Sequence, residues 1–138
     1  MKRTVLDTNV IVSALISPFG NEAQVLQAVE RGYIVPRFSG SILAEYAEVL
    51  ARPKFSFAPD EIASLLGLLQ SKGLLFEPVP VPGVSSDPAD DDFIACALAA
   101  HAEFLVTGNK RHFSAASCGL TKVFSARELI EFLNQGLV

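Results

Sequence analysis

The sequence predicts a three-layer α/β fold, in which helices cover both faces of a mainly parallel central sheet. Short apolar segments typical of strands alternate along the chain with segments whose apolar residues recur at helical spacing. Such alternation is typical of parallel strands joined by helices. With 138 residues, half of them hydrophobic, the chain is expected to form one domain over 1–138 around a single core.

The first half of the chain is predicted to form two strands and four helices. Prolines and glycines limit these helices, because proline cannot continue a helix and glycine readily ends one. The strands are 3–6 and 33–35. The first helix is 9–16, and the second begins at Asn21 and stops at Gly32. The third is capped by Ser39 or Ser41 and ends before Pro53, and the fourth begins at Asp60 and stops at Gly73.

The second half is predicted to contribute three more strands and two helices. A loop rich in proline, glycine and serine runs through Ser86, and a helix then begins at Asp87-Pro88 and reaches about His101. Proline suits a first helical turn, and acidic groups there suit the helix dipole. Ser125 and Glu128 form a capping box that begins the closing helix. The strands are 74–76 with Val79, 103–106 and 122–124.

Composition and charge exclude several classes of protein. Eleven Lys and Arg against 15 Asp and Glu give a net charge of −4, which argues against a polycation that coats nucleic acid. No apolar run approaches the roughly 18 to 20 residues of a membrane span. The first residues make a poor signal peptide, so we expect a soluble, cytosolic protein with no membrane partner. Cys96 and Cys118 make no disulfide framework, and the glycine motifs of P-loop and dinucleotide enzymes are absent.

Polar residues gather where two of the predicted strands end. Asp7-Thr8-Asn9 follows the first strand, and Thr107-Gly108-Asn109 follows the strand at 103–106. In an open parallel sheet, ligands bind beyond the carboxyl ends of the strands. The acidic run 90–92 belongs to the helix that leads to the second of these strands, and Glu45 interrupts the apolar pattern of the third helix. Carboxylates gathered at one edge would repel one another without a cation, and Mg²⁺ or Mn²⁺ prefers such oxygen ligands.

Each of these residues also has a purely structural explanation. Asp7 can cap the next helix, Glu45 can point to solvent, and the acids at 90–92 can serve only the helix start. Asn109 lies in a turn that favours asparagine. The residue pattern by itself therefore leaves both interpretations open.

Four short segments, taken in order, carry a family resemblance. They are Val5-Leu6-Asp7-Thr8-Asn9-Val10, the acidic Glu45 in the third helix, Asp91-Asp92-Phe93-Ile94-Ala95 and Leu105-Val106-Thr107-Gly108-Asn109. Together they resemble the PIN-domain nucleases, and most closely the branch of toxin components of toxin–antitoxin pairs related to the VapC toxins. The resemblance covers nearly the whole chain, to about His112. It implies a parallel sheet flanked by helices, and three or four acids that hold Mg²⁺ or Mn²⁺ for endonucleolytic RNA cleavage.

The resemblance also implies roles for individual residues. Asp7 matches the family's first acid and Glu45 the second, while the third lies three residues before an Ile-Ala pair, which selects Asp91 over its neighbour. These three acids are the expected catalytic and metal-binding residues. The expected supporting residues are Asn9, Thr107, Asn109 and Asp92. The expected contacts to the RNA backbone are Arg37, Arg52, Lys54, Lys110 and Arg111.

One position departs from the family pattern. Many PIN domains carry a fourth Asp where this chain has Asn109, whose side-chain oxygen carries no negative charge. We therefore expect weaker cation binding without a stable second metal, unless Asp90 or Asp92 compensates. The same departure favours an alternative function, a PIN-fold module that binds RNA or a protein partner with little or no catalysis. A phosphotransfer domain also places an Asp after its first strand, but it needs a second acid that Asp7-Thr8-Asn9 lacks.

The resemblance further implies two protein partners. Toxins of this kind are usually held by a small antitoxin that covers the acidic pocket, and they commonly form homodimers. The apolar helices at 22–30 and 42–50 offer a surface for either partner, although packing in the core explains the same pattern.

Overall fold

The computed structural model describes residues 2–77, 91–113 and 119–136. Its strands are β1 (Lys2–Leu6), β2 (Ile34–Phe38), β3 (Leu74–Leu75), β4 (Phe104–Val106) and β5 (Lys122–Phe124). Its α-helices are α1 (Thr8–Ile16), α2 (Asn21–Glu30), α3 (Gly40–Leu50), α4 (Pro59–Lys72), α5 (Asp91–Ala99) and α6 (Ala126–Gly136), with short 3₁₀ turns at Pro53–Phe55 and Lys110–His112. No helix in these ranges is long and apolar enough to span a bilayer.

The five strands form one sheet in the order β3-β2-β1-β4-β5, and every neighbouring pair is parallel. The predicted α/β class is therefore confirmed. From β1 the chain moves outward to β2 and β3, and it then returns past β1 to form β4 and β5 on the other side. The direction of winding reverses between β1 and β4. Such a switch point leaves a crevice at the carboxyl ends of the two strands.

Helices cover both faces of the sheet. On one face α2 lies between α4 and α6, and these helices pack on β2 and β5. α5 packs against β1, β2 and β4. Because the crossover from β3 to β4 runs opposite to the first two crossovers, its right-handed connection places α5 on the other face. The core between these layers consists of fully buried apolar side chains such as Val5, Ile94 and Leu105.

β2 extends further than the predicted strand at 33–35, because it continues through Pro36 to Phe38. Proline cannot donate to a ladder, so the sequence pattern ends the strand before it. The Phe38 carbonyl accepts the Phe76 N–H at 2.8 Å on the β3 side, and Pro36, two residues earlier, faces the same side. β3 begins to pair only one residue after Pro36. The missing N–H of Pro36 therefore removes no ladder hydrogen bond.

The other described elements agree with the predicted limits within two residues. α5 ends at Ala99 rather than at His101, because His101 adopts a left-handed conformation with a φ of 50°. The Ala102 N–H then donates to the Ala97 carbonyl at 2.9 Å, as in a Schellman motif. The predicted strand residue Val79 and the predicted helix start at Asp87-Pro88 lie outside the described residues.

Candidate active site

Asp7 lies at the switch point, directly after β1. Its carboxylate caps α1: Oδ1 accepts the Thr8 N–H at 2.8 Å. Its second oxygen, Oδ2, accepts the Thr107 hydroxyl at 2.6 Å from the residue that follows β4. The residue is only 7% exposed. The two strands that border the switch point thus hold one buried carboxylate between them.

Glu45 lies in α3 and reaches the same edge of the sheet. Its half-buried carboxylate accepts a hydrogen bond from the Thr8 hydroxyl. Thr8 therefore donates to both acids, with its backbone N–H to Asp7 and its hydroxyl to Glu45. The structure brings these two predicted acids together.

Tyr46, the next residue of α3, lies beneath the two acids. It is 2% exposed, and its hydroxyl donates to the carbonyl of Leu6, the last residue of β1. Burial raises the pKa of Tyr46 well above its usual value, and the nearby carboxylates of Asp7 and Glu45 act in the same direction. The phenol therefore stays protonated and remains a donor over the working pH range of most enzymes.

Asp91 begins the described part of α5 and reaches the same edge of the sheet. The opposite end of this helix is fixed near the start of β1, because Arg3 Nε donates to the His101 carbonyl at 2.8 Å. Nine helical residues rise about 13 Å, nearly the length of a five-residue strand. Asp91 therefore lies near the level at which Asp7 follows β1. It is 7% exposed, whereas its neighbour Asp92 is exposed.

The supporting polar residues connect the loops around Asp7. Thr107 is fully buried, and its Oγ1 accepts the Asn109 N–H at 3.0 Å while donating to Asp7. Asn9 Oδ1 accepts the Gly108 N–H at 3.2 Å, which ties α1 to the loop after β4. Asn109 itself is exposed. Thr107 thus holds the first acid directly, the Asn109 N–H holds the Thr107 hydroxyl, and Asn9 fixes the loop that carries both.

The donor set fits a hard divalent cation. Asp7, Glu45 and Asp91 offer only oxygen, and Mg²⁺ usually keeps several waters and takes one or two protein carboxylates. Across residues 2–77, 91–113 and 119–136, no three His, Cys, Asp or Glu side chains form a group that could hold a metal ion. The chemistry of the side chains is of the kind that suits Mg²⁺ or Mn²⁺, with waters completing the coordination.

The five basic residues expected along an RNA backbone have different surroundings. Arg37 is half-buried in β2 and stacks on the Phe76 ring at 5.5 Å, and burial lowers its pKa, helped by nearby Arg3. Each of the other four is exposed, and three of them contact a neighbouring side chain. These contacts are Arg52 with Glu48 at 2.9 Å, Lys54 with the Phe55 ring at 5.1 Å, and Lys110 with Glu128 at 2.7 Å.

The chain matches a known protein family over most of its length. A family model described as PIN domain matches residues 3–111, which include all three acids and their supporting residues. The chain belongs to the PIN domain family. The resemblance carried by the four sequence segments is thereby confirmed, and the family consists generally of nucleases.

This PIN domain is similar to known proteins over most of its length. It is 32% identical over 111 residues to an uncharacterized protein of Methanocaldococcus jannaschii, which covers 78% of this chain and 71% of that protein. The structure of VapBC2 from Rickettsia felis bound to a promoter DNA fragment matches with a TM-score of 0.56 and 16% identity, over 88% of this chain and 96% of that one. FitAB bound to an IR36 DNA fragment matches with a TM-score of 0.59 and 21% identity, over 89% and 94%. At these identities the two structures are similar in fold.

Two residues that hold the site together escaped the sequence analysis. Thr8 is the middle residue of the polar segment Asp7-Thr8-Asn9, yet nothing in that segment shows that its hydroxyl reaches α3. Tyr46 fits the apolar stripe of its helix, so the pattern explains the ring and leaves the hydroxyl without a role. The available signal was a polar hydroxyl within an otherwise apolar stripe, on the residue directly after the candidate acid Glu45.

Proposed function

We propose that this PIN domain is a metal-dependent endoribonuclease and the toxin of a toxin–antitoxin pair. The observation that carries the proposal is the meeting of two of the three acids at the switch point. Asp7 and Glu45 both bond to Thr8, and Asp91 begins α5 at the same edge. A family of nucleases and an oxygen-only donor set together favour phosphodiester hydrolysis over the other chemistries of an acidic site.

The residues of the chain would divide the work of catalysis among them. Asp7, Glu45 and Asp91 would bind Mg²⁺ or Mn²⁺, and Thr107 holds the Asp7 carboxylate in one orientation. The bound ion would lower the pKa of a water and neutralise charge on the phosphodiester. Hydrolysis is expected to leave 5′-phosphate and 3′-hydroxyl ends.

Lys110 and Arg111 are the basic residues that follow the site most directly in sequence, three and four residues after Thr107. Both are exposed, and the Lys110–Glu128 pair has side chains that are 47% and 42% exposed. Exposed pairs of this kind contribute at most about 1 kcal/mol, so a phosphate could replace Glu128 at little cost. These two residues are therefore our first candidates for contacts to the RNA backbone.

Cleavage of a panel of structured and unstructured RNAs with Mn²⁺, Mg²⁺ or EDTA tests the proposal. The wild-type protein should cut with either metal, and EDTA should abolish cutting. Asp7→Asn preserves the helix cap, since Asn caps as well as Asp, but it removes the charge and should lower the rate about 100-fold. Full activity of a folded Asp7→Asn protein would refute the site, and equal cutting of DNA of the same sequence would refute the ribonuclease specificity.

A module that binds RNA or a partner without cutting is the second candidate, because Asn109 stands where many relatives carry a fourth acid. Calorimetric titration with Mn²⁺ separates the two functions. The nuclease requires saturable Mn²⁺ binding that disappears in Asp7→Asn. The binding module is supported instead if the wild-type protein binds RNA but takes up no Mn²⁺.

We also propose an antitoxin partner and a homodimer, because the motifs resemble the VapC branch and VapBC2 is similar in fold. The partner surface proposed from the helices at 22–30 and 42–50 is mostly core, since their apolar residues Val25, Val29 and Ile42 are buried. Exposed apolar side chains lie at several other places in the described residues, among them the end of α1 and the turn after it, where Ile16 is 57% and Phe19 is 96% exposed.

A groove between α1 and α4 adds apolar lining from Leu15, Leu65 and Leu68, beside the polar Asp60, Glu61 and Ser64. Coexpression with the protein encoded beside this chain should yield a complex that no longer cuts RNA. Light scattering of the chain alone should give twice its mass. A monomer that no adjacent gene product inhibits would contradict both partner proposals.

A further inference from the structure

α3 holds the chain on both sides of Asp7. The Tyr46 hydroxyl donates to the carbonyl of Leu6, directly before Asp7. The Glu45 carboxylate accepts from the hydroxyl of Thr8, directly after Asp7. Two consecutive residues of one helix thus fix both neighbours of the first acid.

We infer that Tyr46 is a positioning residue of this active site, which acts through the Leu6–Asp7 peptide to place the Asp7 carboxylate for cation binding. The inference rests on the proposed function. The Asp7 carboxylate is oriented by Thr8 and Thr107, but those two bonds join β1, α1 and the loop after β4. The bond from Tyr46 adds the link between the backbone of β1 and the helix that carries the second acid.

The same hydrogen bond limits the separation of the two acids. Glu45 and Tyr46 are adjacent in α3, so any movement of the helix away from the end of β1 moves Glu45 away from Asp7. Mg²⁺ demands nearly ideal octahedral geometry with ligands at about 2.0–2.1 Å, so small displacements of a ligand weaken binding. A phenylalanine would fill the same space in the core but would lack this link.

Tyr46→Phe is the direct test, and the chain offers a matched control in Thr121→Val. Thr121 is 7% exposed, and its hydroxyl donates to the Ala102 carbonyl at 2.7 Å. Both variants therefore lose one buried bond from a hydroxyl to a main-chain carbonyl. Thr121 and Ala102 precede β5 and β4, at the edge of the sheet opposite to the acids.

The measurement is the Mn²⁺ affinity by calorimetry, at a temperature where thermal melts show all three proteins folded. We expect Tyr46→Phe to bind Mn²⁺ about 10-fold more weakly, as is typical for loss of an outer-shell partner, and Thr121→Val to stay within about twofold of wild type. The Mn²⁺ concentration that gives half-maximal RNA cleavage should rise by the same factor in Tyr46→Phe.

Three results would overturn the inference. If Tyr46→Phe binds Mn²⁺ as tightly as wild type, the hydroxyl positions nothing. If both variants weaken binding equally, the effect is a general loss of stability. If the wild-type protein neither binds Mn²⁺ nor cuts RNA, the proposed function is wrong and the inference, which rests on it, is wrong as well. The wild-type control distinguishes this result from the other two.

Discussion

At the end of β1, Asp7 begins a helix and offers a carboxylate at the switch point. Both features come from its place between a strand and a helix, where an acid accepts the first free N–H of the helix. Substitutions of Asp7 distinguish its role as a helix cap from its role as a carboxylate at the switch point. Asp7→Ala loses the cap and the partner of Thr107, so we expect it to lower the free energy of unfolding by about 1–2 kcal/mol.

Asp7→Asn keeps the capping oxygen but turns its amide NH2 toward the Thr107 hydroxyl, so it should cost less than Asp7→Ala, about 1 kcal/mol or less. Urea unfolding of the three proteins at pH 7 measures the difference. Equal losses for the two variants would mean that the oxygen facing Thr107 or the charge of Asp7, rather than the capping oxygen, stabilises the fold.

Sequence motifs can separate adjacent acids but cannot find distant partners. The Ile-Ala pair favours Asp91 over Asp92, and the structure buries the first and exposes the second. The hydroxyls of Thr8 and Tyr46 escaped because their partners lie 37 and 40 residues away along the chain. The local spacing of apolar residues predicts which side chains are buried, but it does not predict hydrogen bonds between elements that are distant in sequence.

Among the elements, the start of α6 and its capping hydrogen bonds could be predicted from the sequence. The capping box at Ser125 and Glu128 is present, with the Ser125 N–H on Glu128 Oε1 at 2.8 Å and the Glu128 N–H on Ser125 Oγ at 3.1 Å. The hydrogen bond from Lys110 to Glu128 could not be predicted, because it joins a loop to a helix 18 residues later. β2 shows the same limit, since only the short β3 explains why Pro36 is tolerated within a strand.

Glu128 should make stability depend on pH. Hydrogen bonds from Lys110 and then from Ser125 lower its pKa below the ordinary value of 4.5. A carboxylate whose pKa is lowered by folding adds stability above its unfolded pKa and loses it as the pH falls through the folded one. Glu128→Gln should therefore be less stable by about 0.5–1 kcal/mol at pH 7, a modest figure because the side chain is 42% exposed.

That difference in stability should shrink as the pH falls below about 4.5. Urea unfolding of Glu128→Gln and wild type at several pH values between 7 and 3 measures it. Glu131→Gln, which loses only an exposed pair with Arg127, is the control. A difference that stays constant down to pH 3 would contradict the account.

The turn between α4 and β3 requires glycine at residue 73. A Cβ there would overlap the carbonyl oxygen of Pro36 and lie 2.8 Å from that of Leu69, and neither backbone group can move aside easily. We expect Gly73→Ala to lower the free energy of unfolding by about 1–3 kcal/mol. Gly67→Ala in the exposed part of α4, where nothing lies within 4 Å of the new Cβ, should be neutral or gain up to about 1 kcal/mol. Thermal melts that show equal effects would refute the steric argument.

For the molecule as a whole, the reversal of strand order determines where the acids meet. The alternation of strands and helices predicts a parallel sheet, but it does not determine the order β3-β2-β1-β4-β5, which depends on how the helices pack. That order places β1 beside β4 and so joins residues that are a hundred positions apart, Asp7 and Thr107. Motifs predict which residues form the site, whereas its assembly depends on this topology.

The most direct test of the nuclease site compares Asp91→Asn with Asp92→Asn. The substitutions are identical and adjacent, yet one removes a buried carboxylate at the switch-point edge and the other an exposed one. RNA cleavage rates at saturating Mn²⁺, on proteins shown to be folded, give the answer. We expect a loss of about 100-fold or more for Asp91→Asn and a change of less than about threefold for Asp92→Asn. Equal rates for the two variants would contradict it.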